Sequence, residues 1–247
     1  MLLVALRSPP FDAPLVANIA TALHLTPADV RPRTTGPGPW VLSIANEGLD
    51  EGVARLASLG IHAVLVDPAL TPTDDDRVLA RSLTITKTQL LVTDGGGVTH
   101  ACPWPSLALL QRGTRNSTTR QTTKTTQRKL SMGRALLTGG LSLTKKEVVE
   151  ETKTTLLSER FVLLSRNDGE SDVMLYERRV NYQFLGPAMQ ASSFANLQSA
   201  VALILTHQPV PEDARVATPG FVGRLPKTRV DPVDLALHLA QLVNVVN

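Results

Sequence analysis

Two stretches of threonine and charge, set on either side of a glycine-bearing apolar segment, limit what this chain can fold into. Thr114–Lys129 reads TRNSTTRQTTKTTQRK, Thr144–Thr155 reads TKKEVVEETKTT, and Gly133–Leu141 between them reads GRALLTGGL. Threonine is β-branched, stiff at its first torsion and suited to a pleated surface, and neither stretch contains Pro. The first stretch carries Arg115, Arg120, Lys124, Arg128 and Lys129 and no acid, whereas the second carries Glu147, Glu150 and Glu151. Opposite charge on two successive strands is what an antiparallel pair uses for cross-strand contacts of about 0.2–1 kcal/mol each. The pattern predicts one long hairpin over 114–155. At about 3.3 Å per residue, strands of this kind reach roughly 40–50 Å, well beyond an ordinary strand.

Composition bounds the rest. A chain of 247 residues holds one large domain or two small ones and can bury a core. Aromatics make up only 4% of it, so that core must be built from Leu, Val, Ala and Ile. A net charge of +3 and a pI near 9.2 permit anionic partners without demanding them. The single cysteine, Cys102, excludes an intrachain disulfide and a multi-cysteine zinc site. The opening MLLVALRSPP is too short for a signal peptide, and no run of about 18 uncharged apolar residues occurs. A cytoplasmic protein with no transmembrane segment is expected.

Along the chain, 1–71 reads as a small unit of strand, helix, short helix, strand, helix and strand. Leu2–Leu6 is apolar and is stopped by Ser8, Pro9 and Pro10. Leu15, Val16, Ile19, Ala20 and Leu23 recur at helical spacing, and Thr26 with Pro27 forms a helix start. Trp40–Ile44 follows as a strand, Leu49 to Leu59 as a helix ended by Gly60, and Ile61–Val66 as a buried strand. Pro68–Asp76 (PALTPTDDD) is the linker candidate.

After it the character turns to strands. They are expected at 82–86, 89–93, 98–102 and 106–111, then the long pair, then 160–165, 172–177 and 181–185. Ser192 or Ser193 caps a helix to about His207, and 209–247 is a loop followed by a helix opened by Asp231 and Pro232. Leu235, Leu237, Leu239, Leu242 and Val243 cover most of that last helix, so it must pack on another surface, in this chain or in a second copy. The fold class expected is α+β, divided into 1–71, 77–208 and 209–247.

Two resemblances accompany this reading. The segments ANIATALHLTPADVR and VARLASLGIHAVLV give the first unit an element order that resembles the C-terminal domain of the ribosomal stalk protein and the Clp-protease adaptor family. Arg7-Ser8-Pro9-Pro10-Phe11 stands where those adaptors carry a degron-binding acidic segment, and Asp12–Leu23 lacks the stalk domain's lysines. The region 77–208, opening with SLTITKTQLLVTDGGG and ending in one amphipathic helix, resembles a bacterial pleckstrin-homology-like domain. Both resemblances imply an interaction module, and neither implies a catalytic site or a cofactor.

Candidate chemistry is sparse. His100 and Cys102 sit two apart in THACPW and share a strand face, but a nucleophile pair needs closer approach and a third, orienting group. Asp94-Gly95-Gly96-Gly97 lacks the following helix and lysine of a phosphate loop and reads as a hairpin turn. Asp74, Asp75 and Asp76 do not match the spacing of a calcium loop. Arg120, Lys124 and Arg128 fall on one face of a strand together with Thr118, Thr122 and Thr126, a set able to contact phosphate. A solvated ribbon whose bases meet Glu147, Glu150 and Glu151 explains the same residues. Without interleaved aromatics, base stacking is not indicated.

The expected function is non-catalytic binding as a protein–protein adaptor or scaffold, with no cofactor or metal. The alternative is an anion-binding module that contacts nucleic acid or acidic lipid through Arg115, Arg120, Lys124, Arg128 and Lys129. Five phosphate contacts predict a log–log salt slope of about −4 to −5. An enzyme using His100 and Cys102 ranks third.

Overall fold

The computed structural model describes residues 1–44, 49–130, 144–189 and 193–245, and describes side chains except at 117–156, 188 and 219. The segment GRALLTGGL therefore lies outside the described residues.

The chain is an α+β protein. Its first part is β1 (Leu2–Arg7), α1 (Ala13–Ala22), α2 (Pro27–Arg33), β2 (Trp40–Ile44), α3 (Leu49–Ser58) and β3 (His62–Val66). Local chemistry fixes the starts and stops. Asp12 caps α1 by accepting from Leu15 N at 2.8 Å, and Thr26 and Asp29 cap α2 reciprocally. Gly60, at φ +76°, turns the chain after α3. The three strands form an antiparallel sheet in the order β2-β1-β3.

β1 is apolar at both parities because both of its faces are covered. Leu3 and Ala5 pack with Val16, Ile19 and Leu56 of the helices, while Leu2, Val4 and Leu6 meet Leu235, Leu239 and Val243 near the C-terminus. β3 is less enclosed than an apolar run suggests: His62 is exposed, and of its five residues Val66 alone is fully buried.

The larger sheet has seven strands in the order β10-β7-β8-β9-β4-β5-β6. They are β4 (Val78–Ile85), β5 (Gln89–Asp94), β6 (Thr99–Pro103), β7 (Leu107–Leu130), β8 (Thr144–Arg166), β9 (Val173–Tyr176) and β10 (Glu212–Asp213). β4–β9 and β10–β7 run parallel, and β4–β5, β5–β6 and β8–β9 antiparallel. The helices are α4 (Phe194–His207), the short α5 (Pro219–Val222) and α6 (Pro232–Val245).

Strand alternation assigns the two sides of this sheet. Val162, Leu164, Val173 and Leu175 pack with Leu197, Val201 and Ile204 of α4. The intervening Phe161, Leu163, Met174 and Tyr176 pack with Val233, Ala236, Leu237 and Ala240 of α6. Helix α6 is thus enclosed between the two sheets, with Leu235, Leu237 and Leu239 fully buried. Most of its apolar surface is covered inside this chain, the first of the two alternatives expected for it.

Four expectations are corrected. The strand over 160–165 is not separate but the end of β8, and 106–111 opens β7. The stretch 181–185 holds one bridge, from Asn181 to Ser82, and then a 3-10 turn. There the Asn181 side chain accepts from Gln183 N at 3.0 Å and bends the chain out of the ladder. Finally, PALTPTDDD is not a loose linker. It forms two 3-10 turns, Pro68–Leu70 and Asp74–Asp76, capped by Asp67 and by the Thr73–Asp76 pair.

By internal contacts the described chain forms two units: Met1–Arg115 with Arg160–Asn247, and Asn116–Glu159. The expected division at 71–77 falls inside the first of these.

Candidate functional site

The second unit consists of the continuing lengths of β7 and β8. These strands run for 24 and 23 residues. Among the described residues, the third strands beside them are short: β10 meets β7 at Leu110 and Gln111, and β9 meets β8 at Phe161 to Leu164. At 116–130 and 144–159 the sheet is, among the described residues, a two-stranded ribbon. Arg120, Lys124, Arg128 and Lys129 lie in β7, and Glu147, Glu150 and Glu151 lie in β8. Their side chains, and so the expected cross-strand charge pairs, lie outside the described residues.

The fifth base of the set, Arg115, has a different setting. Its guanidinium donates from Nη1 to Asp74 Oδ2 at 3.1 Å and from Nη2 to Asp234 Oδ1 at 2.6 Å. Arg77, with its side chain 2% exposed, donates from Nη1 to the same Asp234 Oδ1 and from Nη2 to Pro72 O at 2.7 Å. The Tyr176 hydroxyl donates to Asp74 Oδ2 at 2.6 Å, and the Arg179 guanidinium lies 4.0 Å from the Tyr176 ring centre.

Two arginines and two aspartates balance, so this cluster can stay charged at low solvent exposure. Burial opposes the charge on Arg115, but Asp234 and Asp74 outweigh it and hold its pKa above the usual value. Burial, reinforced by the bond to Asp74, pushes the Tyr176 phenol well up. The cluster joins the Asp74 turn, β7, β9 and α6. It is structural, and Arg115 is spent on it.

Arg112, two residues before the basic stretch, is likewise paired: its Nε lies 2.8 Å from Glu212 Oε1. It borders a cavity of about 220 Å³ between β7, β8 and α4, lined by Phe161, Phe194, Leu197, Val201 and Arg160. The Arg160 guanidinium lies 3.8 Å from the Phe194 ring centre. Gly113 keeps a wall of this cavity open, since a Cβ there would fall 2.4 Å from Phe161 Cζ.

His100 and Cys102 do not meet as a nucleophile and base. His100 Nε2 is 3.0 Å from Asp94 Oδ2, whereas the Cys102 sulfur is fully buried and accepts from Arg166 Nη1 at 3.2 Å. Burial pushes the thiol up despite the nearby guanidinium, the opposite of what activates a cysteine. Asp94 Oδ1 accepts from Gly96 N and Val98 N, so the Gly-rich segment is a side-chain-capped hairpin turn. No group of three or more His, Cys, Asp or Glu that could hold a metal ion occurs among the described residues. No described helix is long and apolar enough to cross a membrane.

The sequence reading missed the Arg77–Asp234–Asp74 network. One signal for it was present: Asp234 is the only acid in the mostly apolar run PVDLALHLAQLV, and a charge inside an enclosed helix requires a partner. The position of that partner, 157 residues earlier, was not readable from spacing.

No protein-family model, no curated protein and no solved structure matches this chain.

Proposed function

We propose that this chain is a non-catalytic binding protein, a protein–protein adaptor or scaffold, whose contact element is the threonine-rich ribbon. One observation carries the reading: β7 and β8 run for 24 and 23 residues, while the strands flanking them stop at 111 and 161. An isolated two-stranded ribbon is marginal in water. Among the described residues no third strand pairs with either outer edge of the ribbon, and such an edge is a template for another chain. A partner that covers such a ribbon supplies the stabilisation a third strand would otherwise give. The resemblances of 1–71 and 77–208 to interaction modules agree with a binding role, by analogy of element order.

A photo-crosslinker at Thr122 in the ribbon, compared with one at exposed Ala202 on α4, tests this in the native host. Discrete protein adducts from position 122 and none from 202 are the expected result. Adducts from 202 alone would refute it.

The second reading, contact with an anionic polymer or acidic lipid, is favoured by the acid-free composition of Thr114–Lys129. Because Arg115 is engaged by Asp74 and Asp234, four bases remain, and the expected log–log salt slope falls to about −3 to −4. Binding that ignores salt would exclude it.

A further inference from the structure

A second site lies in the first unit and is lined by residues of that unit alone. The loop Thr35-Gly36-Pro37-Gly38-Pro39 leads into β2 and packs against the segment that follows α5. Between them is a cavity of about 250 Å³, lined by Arg33, Pro39, Trp40, Phe221, Arg224 and Leu225. Its lining includes two cations and no acid.

Both guanidiniums are held by backbone carbonyls rather than by carboxylates. Arg33 Nη1 donates to Leu42 O. Arg224 donates from Nε to Gly220 O at 2.8 Å and from Nη2 to Pro37 O at 3.2 Å. Carbonyls orient a guanidinium without cancelling its charge. A guanidinium has five N–H donors, so Arg33 Nε and Nη2 and Arg224 Nη1 keep donors for a ligand. Asp29, one helical turn before Arg33, has its Oδ2 taken by Thr26 N and Oγ1.

The loop glycines make room for this arrangement. Gly36, at φ +74°, lets Arg224 lie against the backbone, since a Cβ there would fall 2.7 Å from Arg224 Nη1. A Cβ at Gly38 would fall 2.6 Å from the six-membered ring of Trp40. The indole is otherwise fixed by Nε1 donating to Gly36 O at 3.0 Å and by Phe11 edge-on at 4.8 Å. Phe221, fully buried, and Leu225 supply the apolar wall.

We propose that this cavity binds a small aromatic phosphomonoester, with the phosphate between Arg33 and Arg224 and the ring against Trp40, Phe221 and Leu225. The dianion is favoured over a carboxylate by charge. A phosphomonoester carries about −1.5 to −2 at pH 7, which matches two guanidiniums held by carbonyls, whereas a carboxylate carries a single charge. The small volume restricts the ligand to about one ring system.

The sequence contains two tryptophans, and Trp104 is 5% exposed and remote in sequence from this loop, so the two indole N–H signals of a nitrogen–proton NMR spectrum separate site from background. Titration of the full chain with phenyl phosphate should shift the Trp40 indole signal saturably and leave that of Trp104 in place. Benzoate and inorganic phosphate, probing the ring and the anion separately, should each bind at least about tenfold more weakly. Arg224→Gln and Arg33→Gln should each weaken phenyl phosphate by about tenfold or more, the worth of one charge-assisted bond. Arg112→Gln, in the other cavity, should not change it. An unmoved Trp40 signal at millimolar phenyl phosphate, or undiminished binding in a folded Arg33→Gln/Arg224→Gln double variant, would overturn the proposal. Equal binding of benzoate would overturn the choice of phosphate.

Discussion

Asp234 shows what single residues contribute here. Its carboxylate sits inside the enclosed helix α6 and receives both Arg77 and Arg115. Removing one partner of a buried ion pair strands the other charge, at about 3–5 kcal/mol. Asp234→Asn is therefore expected to lower unfolding free energy by that amount in a denaturant titration. Replacing both members, in Arg77→Met with Asp234→Leu, should cost less than Asp234→Asn alone, because no buried charge is left unpaired between them.

His238, one turn further along α6, adds a pH dependence. Burial first, and then the Arg77 charge, hold its pKa below the ordinary 6.5. The unfolded chain thus takes up the proton more readily than the folded one. Its contribution is present above about pH 6.5 and declines as pH falls toward the lower folded value. Denaturant midpoints measured between pH 8 and pH 5 should fall for the native protein, and fall less for His238→Gln. Equal slopes would contradict this setting for His238.

At the scale of elements, the parts written by short-range chemistry were legible in the sequence. The order β1-α1-α2-β2-α3-β3, the Thr26 cap and the Asp94 turn follow from periodicity, capping residues and glycine, all acting within a few positions. What could not be read depends on distant pairing. Arg160–Ser165 has the composition of an independent strand, and only its neighbours β7 and β9 reveal that it completes β8. Likewise Arg115 belongs by composition to the basic run, yet its carboxylate partners lie 41 and 119 positions away. Of the candidate site, the ribbon was legible and the withdrawal of Arg115 was not.

Gly113 gives this scale a direct check. A methyl at 113 would collide with the Phe161 ring, which is packed and 1% exposed and so has little room to yield. Gly113→Ala should destabilise by about 1–3 kcal/mol, the usual cost of overpacking. A midpoint unchanged within error would show that the ring moves freely.

At the scale of the molecule, α6 is the shared cover of both sheets of the first unit. It carries Leu235, Leu239 and Val243 against β1 and β3, and Leu237, Ala236 and Ala240 against the larger sheet. Each fully buried leucine contributes about 1.5–3 kcal/mol, so removing the helix removes an amount comparable with the whole stability of a domain. Ending the chain before Pro232 should abolish cooperative thermal unfolding and expose dye-binding apolar surface. A cooperative transition in the shortened chain would contradict this account of the core.

Protein partners are expected to be held by the ribbon and not by the first unit. The measurement closest to it is quantitative affinity capture from the native host, comparing the intact chain with one in which 117–158 is replaced by a two-residue turn. Partners enriched by the intact chain should be lost from the shortened one, while its circular dichroism melt keeps a cooperative transition. Recovery of the same partners in the same amounts by a folded, ribbonless chain would contradict it.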